Sequence, residues 1–245
     1  MAKLSDIAFH FGDRDESPQA LAARKSFGRV AIPVTEIFLS LVDRIVLDGR
    51  SKLNLILDTG CSRHQSYEPY PKHMGSISNY YIGGFDLDGF LSSDKQSRGD
   101  LVIELIENAL IDVCKINSVD PAPYSKAADL ARQTAYQFEY EVAGLSRSTK
   151  DRKVRLSIHR LIRAGEQESW KARLTRKMDG SFSTCVIVDS IRALTAGYEF
   201  RTSKLEDDVF SILDFQGRTV FSLSATGFVT LPFIERRFEV RRGND

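Results

Sequence analysis

The sequence predicts an α+β protein, with a helix-rich N-terminal half packed with an antiparallel β-meander formed mainly by the C-terminal half. Three observations lead there. Apolar residues recur at helical spacing up to about residue 138, and beyond about Gly144 the period shortens to two. Strands and helices do not alternate in the regular way of a nucleotide-binding sheet. Turn-forming pairs such as Gln216-Gly217 fall between the later apolar runs.

The elements follow in order. After a short apolar opening at Ile7 to Phe11, Ser17 and Pro18 supply an N-cap and a first-turn proline for a short helix over Ala20 to Phe27. Thr35 is then the expected cap of a separate amphipathic helix carrying Ile37, Phe38, Leu41, Val42, Ile45 and Val46, stopped by Asp48 and Gly49. Leu53 to Leu57 reads as a buried strand ending at Asp58-Thr59-Gly60. Residues 61 to 76 show no periodicity and read as one long loop. From Ile77 to Phe90 a strand is expected, broken at Gly83-Gly84 and turned at Asp88-Gly89. A second clear helix follows Asp100 and ends at Asp120-Pro121, and a third is capped by Ser125 and carries Ala127, Leu130, Ala131 and Phe138. Val154, Leu156 and Ile158, then Trp170, Ala172 and Leu174, alternate with polar residues as two strands of a meander. Phe182 to Val188, Val209 to Phe215 and Val220 to Leu223 continue it, before a basic, frayed tail beyond Phe238.

The 245 residues are 42% apolar and 27% charged, with a net charge of +1, as in an ordinary globular protein. One domain over 1–245 is expected, with 1–120 and 121–245 as the alternative division. No stretch has the length and apolarity of a membrane span, and the start lacks the layout of a signal peptide, so the expectation is a soluble, cytoplasmic protein. Cys61, Cys114 and Cys185 are odd in number and far apart, which suits a reducing compartment better than a disulfide framework. Charge is unevenly divided: 13 bases face 17 acids in residues 1 to 120, and 21 face 16 thereafter. The excess is concentrated from Arg147 to Lys177, where eleven bases stand against Asp151, Glu166 and Glu168.

Strand alternation gives that cluster a geometry. With Val154, Leu156 and Ile158 toward the core, Lys153, Arg155, Ser157 and His159 face the other way, as do Lys171, Arg173, Thr175 and Lys177 on the next strand. Such a face is either neutralised by acids from elsewhere in the fold or docks an acidic partner. Nucleic-acid readers interleave aromatics with cations, and here only Trp170 lies in the cluster, on the opposite parity.

The run Leu55-Ile56-Leu57-Asp58-Thr59-Gly60-Cys61-Ser62 resembles the active-site loop of retroviral-type aspartic proteases, over about eight residues. The resemblance implies a catalytic Asp58 that shares a proton with a second aspartate. There is no second Asp-Thr-Gly, so the dyad would need a homodimer, and Tyr81-Ile82-Gly83 comes too soon to be the family's later apolar-apolar-Gly element. A strand ending in an Asx turn accounts for the same residues. Cys61, His64 and His73 lack the paired spacing of structural zinc ligands, and Asp86 and Asp88 read as turn formers beside Gly89. Phosphate-loop, dinucleotide, nucleophile-elbow and H-E-x-x-H motifs are absent from the sequence. No cofactor and no metal are expected.

The leading expectation is therefore a non-catalytic protein-binding module of the immunity or inhibitor type. It would dock through Lys153, Arg155, His159, Lys171, Arg173 and Lys177, with Tyr67 and Tyr70 among the loop aromatics that serve as hot spots. The alternatives are nucleic-acid binding by the ribbon 147–177 and an aspartyl hydrolase using Asp58.

Overall fold

A computed structural model describes residues 4–12, 16–42, 51–60, 65–69, 77–166, 168–191 and 199–224. The architecture is α+β, with four helices and twelve strands among the described residues. Contacts group the chain into two compact units, one of Met1–Glu139 with Leu161–Glu168 and one of Tyr140–Arg160 with Ser169–Asp245.

In the first unit, β1 (Asp6–Phe11), β2 (Lys52–Asp58), β3 (Ser66–Pro69) and β4 (Ile77–Gly83) form a sheet of order β1-β2-β4-β3. β1 and β4 run parallel to β2, while β3 pairs antiparallel to β4. One face presents Leu53, Leu55, Leu57, Tyr80 and Ile82 to a core shared with the helices. The other carries a polar row in which His10 Nε2 lies 3.3 Å from Asn54 Oδ1, and Asn54 Nδ2 donates to Asn79 Oδ1 at 3.0 Å. Phe27 gathers the rings of Phe9, Phe11, Phe85 and Phe90 around it at centroid distances of 4.9 to 5.5 Å.

The two helices expected at the N-terminus are a single one, α1 (Pro18–Leu41), capped by Ser17 as expected. Thr35 sits inside it, buried, and does not cap. Pro33 lies inside this helix, lacks an N–H and strips the Arg29 carbonyl of its helical donor. That carbonyl instead accepts the Gly165 N–H at 3.1 Å, so the helix continues through the proline. The continuation expected through Ile45 and Val46 lies outside the described residues.

Several further expectations are corrected. Part of the supposed loop is β3, which satisfies the edge of β4. The strand expected to reach Phe90 stops at Gly83, and α2 (Leu87–Ser92) follows because the Asp86 carboxylate accepts the Gly89 N–H at 2.8 Å. Helix α3 (Lys95–Asn117) starts before Asp100, since Asp94 caps it through the Ser97 N–H at 3.0 Å and hydroxyl at 2.6 Å. Helix α4 (Ala122–Gln133) starts before Ser125, and Phe138 belongs to the following strand. Cys114 is fully buried in α3, where burial and the nearby Asp120 charge outweigh a hydrogen bond with Tyr124 and push its thiol up to about 11.

The second unit contains β6 (Arg147–Ser148), β9 (Phe182–Ile191), β10 (Thr202–Glu206), β11 (Val209–Leu213) and β12 (Thr219–Ser224), with parts of β5 (Gln137–Glu141), β7 (Val154–Arg163) and β8 (Glu168–Arg176). One sheet runs β5-β7-β8-β9 with β6 on β7, and the other is the meander β10-β11-β12. Leu145, Leu156, Ile158, Trp170, Ala172, Leu174, Phe200, Phe210 and Ile212 make its core. Between β10 and β11, Asp207 and Asp208 both take positive φ, 47° and 59°, as a two-residue hairpin turn requires. The expected turn at Gln216-Gly217 is built on Asp214, whose carboxylate accepts the Gln216 and Arg218 N–H groups at 2.8 and 2.9 Å and pairs with the Arg218 guanidinium at 2.7 Å.

Candidate partner-binding face

The β7–β8 hairpin follows the expected alternation. Leu156, Ile158, Ala172 and Leu174 are buried in the second core, while Arg155 is exposed and His159, Lys171 and Arg173 are half-buried. Antiparallel pairing closes with the Lys177 N–H on the Lys153 carbonyl at 2.8 Å. The cations differ in what holds them. Arg155 pairs with Glu141 on β5, and Lys153 lies 3.4 Å from Asp151. Lys177 is exposed at the hairpin end. Arg147 is committed to the carbonyls of Gly144, Ser146 and Ser203, and Arg160 lies over the rings of Tyr140 and Trp170, so neither behaves as a surface cation.

Glu141 is the acid that sequence reasoning missed. Burial by itself would raise its carboxyl, yet hydrogen bonds with Ser146 and Arg155 and the charges of Arg155 and His159 hold it below the usual glutamate range. Arg155 is thus partly neutralised, as an otherwise repulsive cationic ribbon requires. His159 Nε2 lies 3.0 Å from Ser157 Oγ, the separation of a base and its nucleophile. Ser157 is only 4% exposed and its hydroxyl also reaches the Arg173 carbonyl at 3.4 Å, so the pair braces the sheet.

At the end of this ribbon the chain reverses between β8 and β9. Gly180 supplies the left-handed residue with φ 70°, its N–H returns to the Arg176 carbonyl at 3.0 Å, and Asp179 accepts from both the Ser181 N–H and hydroxyl. The turn holds two large apolar side chains in solvent, Met178 at 91% and Phe182 at 62% exposure. The Arg173 guanidinium lies 5.1 Å from the centre of the Phe182 ring, within cation–π range. Apolar anchors and cations therefore meet at the hairpin tip. The sequence signal was the Met178-Asp179-Gly180 turn between two period-two runs.

Compared with known proteins, the chain matches no family model, no curated protein and no solved structure.

The other residues singled out in the sequence fall elsewhere. Tyr67 is half-buried on β3 with its hydroxyl 3.0 Å from Ser78 Oγ, and Tyr70 lies outside the described residues. Tyr80 is a core residue, 2% exposed, and donates to Asp112 at 2.6 Å. Burial and the Asp112 carboxylate raise its phenol well above the ordinary range. Asp58 ends β2, and its carboxylate accepts the Gly60 N–H at 3.2 Å, the Asx turn. Cys61, His64 and His73 lie outside the described residues. Among those described, no three His, Cys, Asp or Glu side chains gather as metal ligands, and no helix is long and apolar enough to cross a membrane.

Proposed function

We propose that this chain is a protein-binding module that neutralises a partner by docking, as immunity-type and dedicated inhibitor proteins do. One observation carries the reading: Met178 and Phe182 stand exposed at the β8–β9 turn beside Arg173 and Lys177. Apolar anchors rimmed by charge are the anatomy of a protein hot spot, in which the anchors supply affinity and the cations steer an acidic partner. We place the protein in the cytoplasm, where three cysteines without paired spacing are at home.

The test is an affinity capture from native-host lysate, with and without nuclease, comparing the unaltered chain with a Met178→Asp, Phe182→Ala double variant. Both side chains are largely in solvent, so the variant should fold. The expected result is a protein that survives nuclease and is lost from the double variant. A partner retained equally by both chains would remove the hairpin tip from the function.

A second reading has its own support. Phe182 places an aromatic among the cations, the combination that single-stranded nucleic-acid surfaces use for stacking and phosphate contact. Recovery of nucleic acid, with proteins lost after nuclease, would put this reading first and predict affinity that falls steeply with salt.

A further inference from the structure

We infer that the first unit holds a peptide-binding groove between the edge strand β1 and helix α1, which takes an extended acidic-apolar segment of another protein as an added strand. This proposal is independent of the hairpin in the second unit. Asp6 N–H bonds the Ser51 carbonyl at 3.2 Å and Gly12 N–H the Leu57 carbonyl at 2.7 Å, so residues of even number in β1 turn toward β2. Ile7, Phe9 and Phe11 consequently turn their N–H and C=O groups to the other side. Among the described residues β1 is the end strand of its sheet, and no strand pairs with that side. An unpaired strand edge is a template for main-chain recognition.

Helix α1 runs beside this edge and forms the second wall. A groove of about 790 Å³ is lined by β1 and by one stripe of the helix that includes Lys25, Gly28, Ile32, Thr35 and Leu39. Their spacing of three and four keeps them on one helix face. Ile32 is 63% exposed although it is apolar. Gly28 has open space where a side chain would be, and a glycine within a helix costs helix stability, so here its missing side chain deepens the groove. Thr35 is 95% buried in this wall, and its hydroxyl has no hydrogen-bond partner.

Charge selects the occupant. The Arg24 guanidinium lies 5.5 Å from the centre of the Phe11 ring, so Arg24 and Lys25 mark the end of the groove where β1 finishes. Glu36, three turns further along the helix, lines the opposite end. Antiparallel pairing is the slightly more stable kind, and it sets the N-terminal end of an incoming strand beside Phe11. The segment that fits therefore begins with acidic residues and continues with apolar residues at alternate positions, whose side chains meet Ile32 and Leu39.

The experiment is selection from a displayed library of peptides of the form acid–acid–apolar–any–apolar–any–apolar on the full chain, followed by fluorescence anisotropy with an enriched peptide. Two variants test the walls: Ile32→Glu at an exposed position, and Gly28→Leu, which fills open space and favours the helix. Circular dichroism checks that both are folded. Each is expected to weaken binding by about tenfold or more, as loss of a central contact does. Arg24→Glu with Lys25→Glu is expected to shift preference to peptides that begin with lysine. Failure of any peptide to enrich over the Gly28→Leu chain, or equal affinity for all variants, would overturn the proposal, and neither outcome bears on the hairpin tip of the second unit.

Discussion

At the scale of single residues, contacts that allow no adjustment decide the most. Gly99 on α3 faces the ring of Tyr136, and a Cβ there would stand 2.2 Å from the ring carbons. The ring cannot swing away, because Tyr136 is 1% exposed, sits at φ 56° and bonds its hydroxyl to the Asp100 carboxylate. Burial and that carboxylate hold the phenol protonated far above its ordinary range. Gly99→Ala would ordinarily stabilise a helix by roughly 1 kcal/mol. Here overpacking is expected to reverse the sign, for a net loss of roughly 1–3 kcal/mol in a denaturant melt. A gain in stability would show that the ring has room. None of this was legible in the sequence, since Gly99 and Tyr136 meet only when α3 and the turn after α4 are brought together. The Asx turn at Asp58 was legible, because it is local and needs only Gly60.

At the scale of elements, sequence patterns located the apolar runs well and their ends less well. The cores of α3, β2, β7 and β8 follow periodicity within the element itself. The boundaries were set by partners the pattern does not contain: Asp94 capping through Ser97, β3 pairing with β4, and Gly165 donating to the carbonyl that Pro33 leaves open. The hairpin of β10 and β11 escaped notice because Asp207-Asp208 fills a turn that usually carries Asn-Gly. The proline cap can be checked directly. Gly165 has φ 75°, so Gly165→Ala should cost about 1–2 kcal/mol for the left-handed backbone. In the unaltered chain the Gly165 amide should exchange slowly with solvent although the residue is exposed. Fast exchange would mean that α1 passes Pro33 without that donor.

At the scale of the whole molecule, the polypeptide passes between its two units at residues 139–140, 160–161 and 168–169. A reading by composition sees the change from helical to alternating period near this place, and it cannot see that Leu161–Glu168 returns to the first unit. The candidate face was legible as a row of cations, and its apolar anchors and Glu141 became visible only when β5 and β9 lay on either side of the β7–β8 hairpin. Cysteine reactivity offers a measurement at this scale. Cys114 is inaccessible in the first unit, while Cys185 in the second is half-buried, with burial raising its thiol against a backbone hydrogen bond from Ala172. In a Cys61→Ser chain, a thiol-alkylating reagent followed by mass spectrometry should mark Cys185 before Cys114, and equal rates would contradict the burial of Cys114. Each unit thus carries its own clock: the slow alkylation of Cys114 times the rare opening of the helical core, and a ligand seated against α1 would be heard as a slowing of that clock alone.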